Sequence, residues 1–268
     1  MTIRYEPFDW YETPLYYDII FDADTQKEAD FMEAMLQRHV PGKKKGRILE
    51  PACGSGRIMA ELGRRGHSVT GYDISEPMVA FAKTRFAKAR LRAPKVRISV
   101  DRMESFTVPD MGRYDLGYCV VSTFKYLMDE ASARAHLQRM ATALAPGGIY
   151  VLGFHLTDYS RKTFERERWI AERGKTHVVC NIHSSPPDRK TRTEQVRSRL
   201  IVTEGKKVRG YETSWTFRTY DNQQFLKLLK SVPQLELIDT HDFFYDADTH
   251  YDFAEETDGV VVILRKRK

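Results

Sequence analysis

The 268-residue chain predicts an α/β fold built on a mostly parallel sheet, and three observations carry the prediction. Residues 48–56, ILEPACGSG, read as a strand running into a turn of small residues. Asp73 ends a second apolar run, VTGYD, nineteen positions after Gly54, the spacing of a strand, turn, helix and second parallel strand whose carboxylate can bind a ribose. Strand and helix signals alternate to about residue 155, after which the chain turns β-rich.

Each element has its own warrant. The first forty residues hold an aromatic-rich run, WYETPLYYDIIFD, and then a helix from near Thr25, where Thr25 and Glu28 have capping-box spacing and Met32, Met35 and Leu36 form a stripe. In the turn, Gly54 and Gly56 lack a Cβ, so the backbone can take φ > 0 and approach a ligand while the N–H groups of the next helix face it. That helix, GRIMAELGRRG, carries Ile58 and Leu62 at helical spacing and stops at Gly66. Further helices are expected over 76–89 and 130–145, with Pro146-Gly147-Gly148 as a turn before the fifth strand. Residues 177–184 and 194–220 alternate with near period two, broken at Glu204-Gly205-Lys206, which predicts an antiparallel insertion with a hairpin. A helix over 222–231 and strands over 235–239 and 260–264 complete the core. The organisation is thus an N-terminal aromatic segment and helix (1–40), an alternating strand and helix core (41–155), an antiparallel β insertion (156–221) and completion of the core sheet (222–268).

Composition excludes some classes. No run of 18 apolar residues exists, and the N-terminus is too acidic and aromatic for a signal peptide, so the chain reads as cytoplasmic. Three cysteines, Cys53, Cys119 and Cys180, are widely spaced and odd in number, against a disulfide framework or zinc knuckle. The net charge of +6 and the basic runs at 43–45, 85–97 and the C-terminus raise nucleic acid as a partner. These runs are dispersed, however, and read as solvated faces. In HDFFYDADTHYDFAEETD, residues 241–258, an EF-hand fails because Tyr251 and Thr257 stand at the glycine and final glutamate positions. The stretch reads as an acidic hairpin loop, and no metal is assigned.

The turn discriminates between adenosine ligands. Met59 takes the third glycine position of a nicotinamide fingerprint, and Arg57-Ile58 replaces the Lys-Ser/Thr of a triphosphate loop. Glu50, at the end of the first strand, would repel a pyrophosphate but tolerate a cationic ligand. With Glu50, Ala52, Gly54 and Gly56, followed in order by GYDIS (71–75), VDRMESF (100–106), YDLGYCVVSTFKYL (114–127) and LAPGGIYVLGFH (144–155), the chain resembles the class I S-adenosylmethionine-dependent methyltransferases, small-molecule branch. Ala52 replaces the family's first glycine, a mild departure if its φ is negative.

The resemblance implies a Rossmann-like fold with a seven-stranded, mostly parallel sheet and an antiparallel β insertion, a cap that supplies the acceptor pocket. It implies S-adenosylmethionine as cofactor and a small-molecule acceptor as partner. Asp73 would bind the ribose hydroxyls, and Ile74 would pack on adenine. Asp101, Arg102 and Met103 would line the adenine edge; Val120 and Ser122 would lie by the methionine moiety, with Tyr17 closing from the N-terminal side. His155 is the candidate base, and Tyr16, Tyr126, His155, Tyr211 and Trp215 are candidate pocket residues. An RNA or protein methyltransferase and a non-catalytic cofactor-binding protein remain alternatives. A DNA amino-methyltransferase is disfavoured, since VVSTFKY lacks the Asn/Asp-Pro-Pro-aromatic signature.

Overall fold

The computed structural model describes residues 3–255 and 258–268. Its elements in order are β1 (Tyr5–Pro7), α1 (Pro14–Phe21), α2 (Thr25–His39), β2 (Arg47–Pro51), α3 (Arg57–Arg64), β3 (Ser68–Asp73), α4 (Glu76–Lys88), β4 (Val96–Val100), β5 (Tyr114–Cys119), α5 (Glu130–Ala143), β6 (Leu144–His155), β7 (Glu165–Arg173), β8 (Thr176–Ser184), β9 (Thr193–Glu204), β10 (Lys207–Arg218), α6 (Asn222–Lys230), β11 (Leu235–Asp242) and β12 (Gly259–Lys266). One sheet has seven strands in the order β11-β12-β6-β5-β2-β3-β4. Strands β2 to β6 pair in parallel, while β12 runs antiparallel to both β6 and β11.

This sheet is covered on both faces, which is why its strands are near-continuously apolar. Neighbours along a strand point to opposite sides. Ile48, Tyr118 and Val151 pack with Met32, Met35 and Leu36 of α2 and with Ile58 and Leu62 of α3. Leu49, Cys119 and Leu152 pack with Leu137 and Met140 of α5 and with Phe225 and Leu228 of α6. At about 1.5–3 kcal/mol for each large apolar side chain buried, these two layers dominate the stability of the core.

Several elements differ from the sequence reading. Helix α1 and strand β7 are additional. Strand β7, ERERWIAER, is charged at most positions and shows no apolar alternation. Strand β1 pairs in parallel with β10, so the N-terminal segment and the cap share one five-stranded sheet, β1-β10-β9-β8-β7. The expected turn at Pro146-Gly147-Gly148 is absorbed into β6: β5 advances from Tyr114 to Leu116 while β6 advances from Leu144 to Ile149, a bulge that houses the three residues. No capping box forms at Thr25. Asp24 is the N-cap, without a side-chain cap, and Thr25 and Glu28 are engaged by Arg57 instead. The stop at Gly66 takes Schellman form, with His67 N bonded to Leu62 O (3.1 Å) and Gly66 N to Gly63 O (3.1 Å).

Candidate active site

The site opens at the β2–α3 turn, where the backbone is held rather than loose. Cys53 N donates to Tyr72 O on β3, and Gly56 N donates to Cys53 O, both at 2.9 Å. Ala52, Gly54 and Gly56 all lie in the left-handed region, at φ +49°, +51° and +67°. The condition that made Ala52 a mild substitution is therefore not met, because this alanine carries a left-handed cost of about 1–2 kcal/mol. A Cβ on Gly54 would come 3.5 Å from the Tyr17 ring, whereas one on Gly56 would meet Phe86 at 2.8 Å and Ala82 at 2.9 Å. Gly56 is thus required by packing against α4 as well as by its φ.

Asp73, at the carboxyl end of β3, is buried. Its Oδ2 accepts from Gly54 N at 2.8 Å and its Oδ1 from Ser75 N at 2.9 Å. Burial raises its pKa and these N–H donors oppose the rise. Ser75 caps α4 by accepting from Met78 N (3.2 Å) and donates to Tyr11 O (2.9 Å), which ties the N-terminal segment to the turn. Glu50 is buried with Tyr118 Oη as its hydrogen-bond partner (2.5 Å) and no ion pair among the described residues. Desolvation pushes its pKa up to about 8. A buried carboxyl group that a positive partner would ionise, beside an acidic strand end, fits the cationic amino acid portion and the ribose of S-adenosylmethionine.

The residues expected at the adenine edge lie further along the same rim. Ile74 is 58 % exposed and Val100, at the end of β4, 49 %, leaving apolar surface where a planar ring can pack. Asp101 accepts from Arg102 N (2.8 Å) and Thr107 N (3.0 Å), and Arg102 Nε donates to Glu104 (2.7 Å). Met103 leans on the core formed with α5. After β5, Val120 is buried, and Val121 and Ser122 both take φ +59°, a left-handed pair of the kind that clusters at ligand sites.

Beside this rim is a cavity of about 440 Å³, bounded by the N-terminal segment, the β5 and β6 ends and the cap sheet. Tyr17, Ser122, Tyr126, His155 and Trp215 line it. Tyr17 also lines a small pocket of about 20 Å³ with Glu50, Ala52 and Val120, so it stands between the turn and the cavity. Tyr16 and Tyr211 are placed elsewhere: they pack on each other (5.8 Å) and on Phe8 (6.1 and 4.9 Å), in the aromatic layer that joins α1 to the cap. Ser122 Oγ lies 2.8 Å from His155 Nδ1 and accepts from His155 N at 3.1 Å. Phe243 stacks on the ring at 4.7 Å. Desolvation and the nearby Lys125 charge lower the His155 pKa to about 4, so the ring is neutral near pH 7.

Sequence reasoning missed the cavity's carboxylates. Asp9, Asp24, Glu28, Asp158, Glu165, Glu167, Glu194 and Asp258 line it, against two basic side chains, Lys125 and Arg161. Glu194 lies 3.5 Å from Lys125 Nζ and 2.5 Å from Arg161 Nη2, and Glu165 lies 3.2 Å from Arg161 Nε. Glu167 has no ion pair among the described residues. Burial raises its pKa, and the charges of Glu165, Asp258 and Glu194 raise it further, against a bond to Trp169. The only signal for these groups was the i, i+2 pair Glu165/Glu167, which reads as a solvated edge until a second sheet face is known.

Comparison with known proteins agrees with this geometry. Residues 48–148 match the family model of a methyltransferase domain. The putative methyltransferase YqeM of Bacillus subtilis (strain 168) is 28% identical over 141 residues, 53% of each chain. The dTDP-3-amino-3,6-dideoxy-alpha-D-glucopyranose N,N-dimethyltransferase of Streptomyces fradiae is 28% identical over 139 residues, 51% of this chain and 50% of the relative. The chain therefore spans about half the length of these curated relatives. Among solved structures, an S-adenosylmethionine-dependent methyltransferase from Clostridium acetobutylicum ATCC 824 superposes with a TM-score of 0.73 at 17% identity, over 94% of this chain and 96% of that one. The sugar N-methyltransferase KedS8 from Streptoalloteichus sp ATCC 53650 superposes with a TM-score of 0.71 at 17% identity, over 100% and 97%. The chain has the class I S-adenosylmethionine-dependent methyltransferase fold, and its residues 48–148 are similar to a methyltransferase domain.

Proposed function

We propose that this chain is an S-adenosylmethionine-dependent methyltransferase that transfers the methyl group to the nitrogen of a small amine-bearing acceptor. The observation that carries the reading is the charge of the cavity: in a chain of net charge +6, the charged groups that line the cavity are mostly carboxylates. Such a wall attracts a protonated amine and repels phosphate, which disfavours a polynucleotide acceptor. A volume of about 440 Å³ suits a metabolite-sized ligand. Relatives named for amino-sugar and glycine N-methylation support the same direction.

When bound, the cofactor supplies a methyl carbon already activated by its sulfonium. The chain's residues then hold the acceptor in line, a contribution of about 7–11 kcal/mol in favourable cases. An amine attacks only as the free base, so the proton of the bound ammonium must leave before or during transfer. Glu167, whose basicity burial and the neighbouring carboxylates raise, is placed to accept it. His155 is neutral but a weak base at about 4, and in this reading it orients the acceptor together with Ser122. The aromatic walls, Trp10, Trp169 and Trp215, pack on the acceptor's carbon frame. Buried, unpaired thiols at Cys53, Cys119 and Cys180 suit a reducing compartment, and we place the protein in the cytoplasm. No helix of the described residues is long and apolar enough to cross a membrane.

A panel of paired acceptors tests the reading, each amine set against its hydroxyl counterpart, with product detected by mass. Methylation of the amines alone is expected, with Glu167→Gln lowering the rate by about 10²- to 10⁴-fold. Preferential methylation of the hydroxyl members would overturn it.

A further inference from the structure

Away from the acidic cavity, three histidines gather round one carboxylate where the end of α2, strand β11 and the loop after it meet. Asp239 Oδ1 lies 2.8 Å from His250 Nδ1, and its Oδ2 lies 3.3 Å from both His241 Nε2 and His39 Nε2. Beyond the bulge between Leu237 and Asp239 the pairing of β11 is regular, so Asp239 and His241, two residues apart, share one face. The ligating atoms of Asp239, His241 and His250 all lie within 4.8 Å of one another.

The hydrogen-bond pattern around His241 specifies what belongs between these atoms. The side chain is fully buried, and its Nδ1 faces the carbonyl oxygens of Thr249 (2.8 Å) and Asp246 (3.2 Å). Carbonyl oxygens only accept, so Nδ1 carries a hydrogen and Nε2 is the ring atom turned toward the Asp239 carboxylate. That atom is buried without a hydrogen-bond partner, as is His39 Nε2, and both face the same carboxylate oxygen. Two buried imidazole nitrogens without a hydrogen-bond partner that converge on one carboxylate oxygen form a donor set of the kind that holds a cation. A separation of 3.3 Å is about the ligand-to-ligand edge of a tetrahedral zinc site with bonds of roughly 2.0–2.1 Å. The Nδ1–H to carbonyl bond is also the outer-shell contact that fixes metal-ligating histidines. Arg38, the cation beside His250, is itself paired with Asp248 at 2.8 Å.

We propose that Asp239, His241 and His250 bind a divalent transition-metal ion of the zinc class, with His39 facing the same carboxylate. The sequence reading assigned no metal here because the EF-hand pattern fails; that argument concerns oxygen ligands of a calcium loop, and Thr257 lies outside the described residues. The ligands proposed are two imidazoles and a carboxylate from the preceding strand. The ion joins β11 to the loop that carries Phe243 and Tyr245, both of which line the acceptor cavity. Its role is structural: it fixes one wall of that cavity.

The test uses the full chain, freed of metal with a chelator and dialysed, then titrated with Zn(II) against a chromophoric competitor. In parallel, Co(II) is added and its visible spectrum recorded. The expected result is one equivalent of tightly bound Zn(II), the Co(II) spectrum of a four- or five-coordinate nitrogen and oxygen site, and a higher melting temperature with Zn(II). His250 is 48 % exposed, so His250→Gln should leave the metal-free melting temperature in place while weakening Zn(II) binding about tenfold or more. Asp239→Asn serves as the second variant. Absence of stoichiometric Zn(II) uptake, an octahedral aquo-like Co(II) spectrum, or equal affinity in the wild type and both variants would overturn the proposal.

Discussion

Two buried carboxylates at the cofactor turn make opposite demands on stability. Asp73 is satisfied by the N–H groups of Gly54 and Ser75; hydrogen bonds to a charged group contribute about 1.5–3 kcal/mol, so Asp73→Ala should destabilise the protein as well as weaken cofactor binding. Glu50 has a folded-state pKa of about 8 against an ordinary 4.5. The folded protein therefore holds a proton that the unfolded chain releases. The stability from this group is complete below the unfolded value and is lost as pH rises through the folded one. Melting of the ligand-free protein is expected to fall between about pH 5 and 8, and Glu50→Gln should flatten that slope while weakening cofactor binding; an unchanged slope would contradict the assignment. The positions of Glu50, Gly54, Gly56 and Asp73 were legible because each is a local requirement of a strand-turn-helix unit. The positive φ of Ala52 was not, because alanine gives no sign of a left-handed residue.

At the scale of elements, the N-terminal segment is fastened to the turn by a buried ion pair. Arg57, the first residue of α3, donates to Glu28 of α2 through both terminal nitrogens, one at 3.0 Å, and to Thr25 Oγ1 at 3.1 Å. Both charged side chains are almost fully buried. Removing one member strands the other, at a cost of about 3–5 kcal/mol. Glu28→Gln is therefore expected to lower the urea midpoint by a corresponding amount, and a midpoint within error of the wild type would refute the role. Sequence spacing pointed to a capping box at these two residues because it sees only local partners. The competing donor lies 29 residues away in the chain. The same limit hid β7, whose inward face is chosen by the cavity rather than by a core.

The molecule as a whole separates its charge. Along β7, alternate residues put Glu165, Glu167 and Trp169 on the cavity side and Arg166 and Arg168 on the other. Their register partners His183 and Arg197, Asn181 and Arg199 continue that outer face. Net charge alone raised nucleic acid as a partner; the two-sided strand assigns the positive charge to the outside and the negative to the cavity. The apparent KM of an amine acceptor should accordingly rise with salt, as charge attraction is screened over about 8–10 Å at physiological ionic strength, and a salt-independent KM would argue against electrostatic capture. The parallel core was readable from alternation and turns because those patterns are periodic. The acceptor wall was not, since it is assembled from the N-terminal segment, the β5 and β6 ends and the cap, which only the tertiary fold brings together.

The central claim is that the turn at Glu50 to Gly56, with Asp73, holds the methyl donor. Calorimetric titration of S-adenosylmethionine into the wild type and Asp73→Ala tests it most directly. One equivalent bound by the wild type, with affinity reduced about 10- to 100-fold in the variant, is the predicted result. Absence of binding heat in the wild type, or equal affinity in both proteins, would contradict it.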